Sequence, residues 1–375
     1  MSTPVPIKIP LMDLKPQIQA LKAQLLEGFA RTLDNTSFCL GPDVEAFERD
    51  FAAYCGASHG IGVNSGTSAL HLALLALGVG PGDEVITTPY TFVATAWAIS
   101  YCGATPVFAD INPENFLIDP AAVEKAMTPK TKALLPVHLY GQPVDLDPLL
   151  DLAKKKGLPL VEDSAQAHGA KYRGSRVGSF GTISAFSFYP SKNLGAFGEG
   201  GMALTSDAGL AAKMRALRDH GSVKRYYHEN VGYNYRMEGL QGLSLRVKLP
   251  HLDGWNARRQ QLAELYSILL KGTSLKLPVL SPERTHVYHL YVVRHPKRDA
   301  LSEHLKQHGI GSGFHYPLPL HLQQAYAHLK LGAGRFPHSE AAAKECLSLP
   351  LFPELTDDQV RAVAAVVREW DDDNK

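Results

Sequence analysis

The chain has 375 residues, of which 45% are hydrophobic and 20% are charged, and its formal net charge is +1 at pH 7. This length suits two domains better than one small core. The near-zero charge provides no basic field for nucleic acid or an acidic membrane surface, so we predict neither partner.

The sequence predicts a cytoplasmic protein. Its first residues carry prolines where a signal peptide needs an apolar core, and no apolar run has membrane-spanning length. The four cysteines are scattered without a CxxC pair, which argues against a zinc site or a disulfide framework and favours a reducing compartment.

Between about residues 58 and 205, short apolar runs alternate with helical patterns. The predicted strands are HGIGVN, DEVITT, TPVFAD, LLPVHL, LPLVED, ISAFSFY and GGMALT. The predicted helices are SALHLALLALG, FVATAWAISYCG and DLDPLLDLAKKKG. This alternation favours an α/β fold with a largely parallel, doubly wound sheet that is covered on both faces.

The second half of the chain predicts a smaller α+β domain. Helical patterns occupy AGLAAKMRALRDH and roughly residues 237–271, and a strand-like HVYHLYVVR, a helix DALSEHLKQHG and a strand-like IGSGFHYP follow. A last helix opens at Thr356, where Gln359 completes a capping box. We predict a large domain over residues 1–255 and a small domain over residues 256–375, although a helix crosses this boundary.

Polar residues follow the strand that ends in IGV. They are Asn64, Ser65, Gly66, Thr67 and Ser68, and they open an apolar helix. In open α/β sheets, ligands collect at the carboxyl ends of the strands. A helix N-terminus offers unpaired N–H groups and the positive end of a dipole, which suits a phosphate. Serine and threonine are also ordinary N-caps, so both interpretations stay open at this point.

An acid and a lysine complete the pattern. Asp163 follows the apolar PLVE, and a buried acid must be paired, most simply by a cap or a salt bridge. Lys192 lies between an aromatic run and a glycine cluster in SAFSFYPSKNLGAFGEGG. Most lysines are solvated, but one withdrawn from water can form a Schiff base with a carbonyl. Together, a phosphate anchor, an acid and such a lysine are what pyridoxal phosphate needs.

Several motifs carry a resemblance to a known family. They are GPDVEAFERDFAAYCG, the stretch that begins VNSGTSALHLALL, VEDSAQAHGA, SFYPSKNLGAFGEGG and VGYNYRM. In this order and spacing they resemble the DegT/DnrJ/EryC1/StrS sugar aminotransferases, from about residue 8 to the C-terminus. The resemblance implies the type I, aspartate aminotransferase-like fold of pyridoxal phosphate enzymes, and a homodimer with shared active sites.

The resemblance also implies roles for individual residues. Lys192 matches the lysine that carries the cofactor, and Asp163 matches the partner of the ring nitrogen. The other cofactor contacts that it implies are Gly66, Thr67 and Ser68 at the helix start, Phe92 on the ring, Gln166 near the ring hydroxyl, Ser187 at the phosphate, and Asn234, which reaches the phosphate of the neighbouring subunit. Candidate contacts for the substrate are Arg236 and His315, as cations for a diphosphate, with Tyr316 and His321 nearby.

The reaction implied is amino transfer, usually from glutamate, to a nucleotide-linked keto-hexose. HYPLPLHLQQAY resembles a stretch common in members that aminate C3 of the sugar, whereas GYNYRM also occurs in C4 aminotransferases, and we favour C3. The alternatives are a C4 enzyme, an aminocyclitol aminotransferase or a sugar dehydratase. Members that became dehydratases replace the lysine with histidine, but this chain keeps Lys192.

A non-enzymatic regulator and a metal site are both disfavoured. The near-zero charge and the lack of a recognition helix argue against a regulator that binds DNA. The chain has sixteen histidines but no HExxH motif. His286 and His289 lie three apart in a strand pattern, which predicts that they face opposite sides.

Overall fold

The computed structural model describes residues 8–224 and 226–374. Its α-helices are α1 (Lys15–Asp34), α2 (Pro42–Cys55), α3 (Gly66–Ala76), α4 (Ala94–Tyr101), α5 (Pro120–Ala126), α6 (Leu146–Lys156), α7 (Ala208–Arg218), α8 (Gly239–Lys248), α9 (Leu252–Leu269), α10 (Arg298–Gln307), α11 (Pro337–Glu345) and α12 (Asp357–Asn374). Its strands are β1 (His59–Val63), β2 (Glu84–Thr87), β3 (Thr105–Phe108), β4 (Thr131–Leu134), β5 (Val161–Asp163), β6 (Lys171–Tyr172), β7 (Ser175–Arg176), β8 (Ile183–Ser187), β9 (Gly201–Thr205), β10 (Ser222–Lys224), β11 (Tyr227–His228), β12 (Tyr291–Arg294) and β13 (Cys346–Leu349). None of these helices is long and apolar enough to cross a membrane.

The main sheet contains seven strands in the order β3-β2-β4-β5-β8-β9-β1. One part, β3-β2-β4, is parallel, and β5 pairs in parallel with β8. Parallel bridges from Leu134 to Leu160 and from Val137 to Asp163 join the two parts. Strand β9 runs antiparallel to both of its neighbours, β8 and β1. The predicted α/β fold with a mostly parallel, mixed sheet is confirmed.

Helix α3 covers one face of this sheet. It is buried almost all round, with Leu72 and Leu74 fully inaccessible, and it packs against β8, β9 and α4. A helix that is apolar on every side is stable only inside a protein. Its N-terminus is consequently fixed against the edge of the sheet where β1, β5 and β8 end.

The small domain packs helices on the antiparallel pair β12–β13. Helix α12 begins with the predicted capping box, in which the Thr356 N–H donates to Gln359 Oε1 at 2.9 Å and the Gln359 N–H donates to Thr356 Oγ1 at 3.2 Å. Its buried stripe of Val363, Val367 and Trp370 faces the core of this domain.

Three strand predictions need correction. For LLPVHL, the strand is Thr131–Leu134 and ends before Pro136, which has no N–H to donate to a ladder. IGSGFHYP forms no strand, because its residues make only single bridges, Ile310 to Ile9 and Gly313 to Ser348.

The strand predicted in HVYHLYVVR begins only at Tyr291. His286 and His289 precede it, so the prediction that they face opposite sides of a strand is wrong, and both are buried. Helix α9 crosses the boundary predicted after residue 255, and Ile9 packs with the small domain. The two residue ranges therefore stay a prediction.

Candidate active site

A cavity of about 620 Å³ opens at the carboxyl edge of the sheet. Its walls come from the starts of α3 and α4, the ends of β5 and β8, the segment after β8, and residues of the small domain. The sequence-predicted residues that line it are Gly66, Thr67, Phe92, Asp163, Gln166, Ser187, Lys192, His315 and Tyr316. The fold thus brings most of the candidate residues into one space.

At the start of α3, capping and ligand binding use different groups. Ser65 is the N-cap, and its hydroxyl accepts from the Ser68 N–H at 3.0 Å. The Ser68 hydroxyl donates to Asn64 Oδ1 at 2.7 Å, and Ser68 lies outside the cavity lining. Gly66 and Thr67 do line the cavity, and the first N–H groups of a helix have no intrahelical acceptor. These N–H groups are available to an anion.

The start of α3 lies against the end of β8. A Cβ atom added to Gly66 would lie 2.6 Å from the Cβ of Ser187, which is too close for any side chain. Ser187 is held there in part by His168, whose Nε2 lies 2.9 Å from the Ser187 carbonyl. The arrangement forms a small cradle of backbone N–H groups and hydroxyls, and glycine is required for the close approach.

Asp163 lies at the end of β5 and is only 4% exposed. Its Oδ2 accepts from the Thr95 hydroxyl at 2.8 Å, and its Oδ1 accepts from the Ala165 N–H at 3.2 Å. Burial raises the pKa of Asp163, while these hydrogen bonds and the charge of Lys192 oppose the rise. A cationic ligand next to this carboxylate would stabilise its ionised form.

Lys192 lies in a segment that leaves the sheet at Ser187 and returns at Gly201, and these two residues are cross-strand partners. Burial lowers the pKa of Lys192 to about 8, and the nearby Asp163 opposes this shift. Within the segment, the Ala196 N–H donates to the Phe188 carbonyl at 2.8 Å. The backbone that carries the lysine is therefore held by a hydrogen bond within the segment and by the pairing of its two ends in the sheet.

Residues far along the chain hold this segment, and sequence reasoning missed them. The Asn193 side chain donates to Asn256 Oδ1 and to the Val287 carbonyl, both at 2.9 Å, and its oxygen lies 3.3 Å from His289 Nδ1. The ammonium of the buried Lys248 donates to the Gly195 carbonyl at 2.7 Å. Only tertiary contacts identify these partners, because none of them adjoins a recognisable motif.

Gln166, Tyr316 and Phe92 occupy one side of the cavity. The Gln166 oxygen accepts from the Tyr140 N–H at 2.7 Å, and its amide donates to the Tyr316 hydroxyl at 3.1 Å. The ring centroids of Phe92 and Tyr316 are 5.8 Å apart. Phe92 is 51% exposed, so a face of the ring is available for stacking.

Thr95, whose hydroxyl donates to Asp163, is a further site residue that sequence reasoning missed.

Three other predicted site residues lie outside the cavity of their own chain. Arg236 forms an ion pair with Asp219, which neutralises the cation expected for the substrate. His321 is buried, with its Nε2 3.1 Å from Glu340, so a substrate cannot reach it there. Asn234 is exposed, and its carbonyl accepts from the Asn64 amide at 3.4 Å.

The two remaining substrate candidates, His315 and Tyr316, do line the cavity. The Nδ1 of His315 lies 2.8 Å from the Ser348 hydroxyl, and burial, together with the charge of Lys192, lowers the pKa of His315 to about 4. His315 is therefore a neutral hydrogen-bonding group at pH 7 rather than a cation for a diphosphate.

Known proteins resemble this chain over almost its whole length. The model of the DegT/DnrJ/EryC1/StrS aminotransferase family matches residues 19–368. A pleiotropic regulatory protein of Geobacillus stearothermophilus is 49% identical, over 97% of this chain and 99% of its own. The dTDP-3-amino-3,4,6-trideoxy-alpha-D-glucose transaminase of Streptomyces venezuelae is 48% identical, over 97% of this chain and 96% of its own. The UDP-N-acetyl-3-dehydro-alpha-D-glucosamine 3-aminotransferase of Acidithiobacillus ferrooxidans is 46% identical, over 96% of this chain and 97% of its own.

Solved structures agree with these relatives. The crystal structure of S. venezuelae DesV in complex with a ketimine intermediate matches with a TM-score of 0.95 at 48% identity, covering 98% of this chain and 99% of that one. NtdA from Bacillus subtilis with bound cofactor PMP matches with a TM-score of 0.89 at 32% identity, covering 98% of this chain and 87% of that one. The chain belongs to the DegT/DnrJ/EryC1/StrS aminotransferase family.

Proposed function

We propose that this aminotransferase uses pyridoxal phosphate to transfer an amino group from glutamate to C3 of a nucleotide-linked keto-hexose. One observation carries the proposal: Lys192, Asp163 and the cradle of Gly66 and Ser187 line the same cavity. A phosphate anchor, a buried acid and a lysine of lowered pKa are ordinary features when apart, and their convergence favours this cofactor.

The residues fit pyridoxal phosphate. The N–H groups at the start of α3 and the Ser187 hydroxyl would hold the phosphate, and Lys192 would hold the aldehyde. Asp163 would face the ring nitrogen, because a cation there offsets the burial that raises the pKa of this carboxyl group. Phe92, with half of its surface exposed, is available to stack on the ring.

When bound, the cofactor supplies an electrophilic carbon and a ring that withdraws electrons. The chain supplies the base. Burial lowers the pKa of Lys192 to about 8, so its Nζ could take a proton from the α-carbon of the donor and deliver it to the reactive carbon of the cofactor. Asp163 acts by its fixed charge.

Two arguments favour amination at C3. Two of the similar relatives are named as a 3-amino sugar transaminase and a 3-aminotransferase. HYPLPLHLQQAY, the stretch that resembles C3 enzymes, contributes His315 and Tyr316 to the cavity wall. Another similar relative is named a regulatory protein, but a cavity furnished with Lys192 and Asp163 favours catalysis for this chain.

A turnover assay tests the substrate. The protein, loaded with pyridoxal phosphate and supplied with glutamate, should be offered dTDP-, UDP- and GDP-linked 3-keto and 4-keto sugars. We expect a product with nitrogen at C3, identified by NMR. Nitrogen at C4 would contradict the position, and no turnover with any of the six classes would contradict the nucleotide-sugar proposal.

We also propose a homodimer in which each site is built from both chains. Large apolar side chains are exposed beside the cavity, including Trp97 and Tyr189, and a second chain would cover such a surface. Asn234 is exposed and lies outside the cavity of its own chain, which supports a role at the partner's phosphate. A two-fold axis would make the exchange reciprocal.

Mixing two inactive variants tests this arrangement. Lys192→Ala and a severely impaired Asn234 variant, once randomly reassociated, should regain activity, up to about one intact site per mixed dimer. One site then carries both lesions, and the other takes intact Lys192 and intact Asn234 from different chains. Activity that stays absent, with mixed dimers demonstrated by tagged subunits, would show that Asn234 acts within its own chain.

Gly66→Ala should weaken cofactor binding, because the new methyl group would overlap Ser187 and push the two sides of the cradle apart. Overpacking costs about 1–3 kcal/mol, which corresponds to roughly 5- to 150-fold in the dissociation constant. Titration of the cofactor by visible absorbance measures the effect. Gly254→Ala, in α9 where nothing lies within 4 Å of the added atom, is the control and should bind normally. Equal cofactor affinities in the two variants would contradict the placement of the phosphate in this cradle.

The proposed location is the cytoplasm. All four cysteines are free, three of them buried, which fits a reducing compartment.

A further inference from the structure

Three side chains with metal-binding atoms converge on the surface of the small domain. His304 lies in the last turn of α10 and His308 is the C-cap residue that follows this helix, while Glu369 belongs to α12, which packs beside α10. One ligating atom from each residue lies within 4.8 Å of the other two. The two imidazole rings are 4.4 Å apart between centroids. This cluster lies outside the cavity described above.

The hydrogen bonding leaves both imidazoles ready to coordinate. His308 Nδ1 lies 2.9 Å from the His304 carbonyl, which can only accept, so this nitrogen carries the proton and Nε2 has the free lone pair. A backbone carbonyl on the second nitrogen is the usual way in which a metal-binding histidine is oriented. His304 Nε2 is shielded from solvent and has no hydrogen-bond partner among the described residues. A buried polar atom without a partner is costly, and a cation would satisfy it.

The ligand set selects the class of metal. Two imidazole nitrogens and one carboxylate oxygen suit zinc, which binds them at about 2.0–2.2 Å and keeps water in the remaining position. Neighbouring ligands of a tetrahedral zinc ion lie about 3.4 Å apart at these bond lengths. His308 and Glu369 are exposed, so their side chains are free to rotate inward by the small amount that this requires.

We propose that His304, His308 and Glu369 form a zinc site that ties α10 to α12. Helix α12 packs on the core of the small domain by its buried stripe, and Arg368 and Asp371 hydrogen-bond to the end of α9 and the segment after it. A metal ion bound by Glu369 and the two histidines would add a further link between α12 and the end of α10. The site serves stability of the small domain and takes no part in amino transfer.

Zinc binding to the whole, cofactor-loaded protein tests the proposal. After dialysis in a phosphate-free zinc buffer, we expect elemental analysis to find one tightly held zinc ion per chain, and we expect a higher Tm. When cobalt replaces zinc, we expect the visible spectrum of a tetrahedral cobalt ion. His308→Ala and Glu369→Gln should each weaken zinc binding by more than about 100-fold, since even lost outer-shell partners cost 10- to 100-fold. Both positions are exposed, so both variants should fold.

Matched controls separate a built site from ordinary surface binding. His328 is also exposed, with its Nδ1 on a backbone carbonyl at 3.1 Å, and Glu303 is an exposed acid on α10 itself. His328→Ala and Glu303→Gln should leave zinc content and Tm unchanged. Zinc that binds equally to wild type and to His308→Ala, or that is lost equally in His328→Ala, would overturn the proposal.

Discussion

Lys192→Ala should abolish amino transfer. The substitution removes the amine that holds the cofactor and the base that moves the proton, so no other group can restore either step. The wild-type protein should be yellow with bound cofactor, and borohydride should fix that cofactor to the peptide that contains Lys192. The variant should retain the fold, because the side-chain hydrogen bonds described for this segment come from Asn193 and Lys248.

A second lysine makes this test sharp. Burial also lowers the pKa of Lys248 to about 8, although its ammonium is occupied by the Gly195 carbonyl and lies outside the cavity lining. Mass spectrometry that found the reduced adduct on Lys248 would contradict the assignment of Lys192. Lys306→Ala, at an exposed lysine of the small domain, is the control and should leave amino transfer unchanged.

Asp163→Asn should lower kcat by at least about 100-fold, the usual cost of losing one preorganised electrostatic group. An amide has the shape of the carboxylate but cannot balance a protonated ring nitrogen. The Asn side chain can keep both contacts, with its oxygen on the Ala165 N–H and its amide on the Thr95 hydroxyl, which can turn towards Thr91 at 3.1 Å.

Cofactor binding distinguishes this effect from misfolding. The Asp163→Asn protein should still bind pyridoxal phosphate through the cradle and Lys192, with a changed visible spectrum and a nearly unchanged Tm. Asp253→Asn, at an exposed acid that pairs with Arg176, is the matched control. Near-normal turnover in Asp163→Asn would mean that the carboxylate does not face the ring.

The sequence predicts elements well where one segment carries its own pattern. The burial of β1, α3 and β5 follows from apolar runs, and the capping box at Thr356 is local. The strand predicted in IGSGFHYP fails because strand formation needs continuous pairing. Its two single bridges, to Ile9 and Ser348, give only isolated contacts from distant parts of the chain.

The candidate site divides in the same way. Lys192 and Asp163 stand out in the sequence because each lies in a local motif. Thr95 does not, because its pairing with Asp163 joins a helix to the end of a strand. Arg236 was expected to be a free cation, but its partner Asp219 depends on how the backbone returns after α7. Glu369 comes close to His304 and His308, at the end of α10, only through the packing of α12.

The segment between β8 and β9 also bears on how this protein could be re-engineered. Its two ends, Ser187 and Gly201, are cross-strand partners, so the sheet and Asp163 would stay in place if the segment were exchanged with that of a relative. Phe188 and Leu194 within it are fully buried, so a graft would have to keep these apolar contacts. Grafts of this kind would change the surroundings of the lysine without redesigning the scaffold.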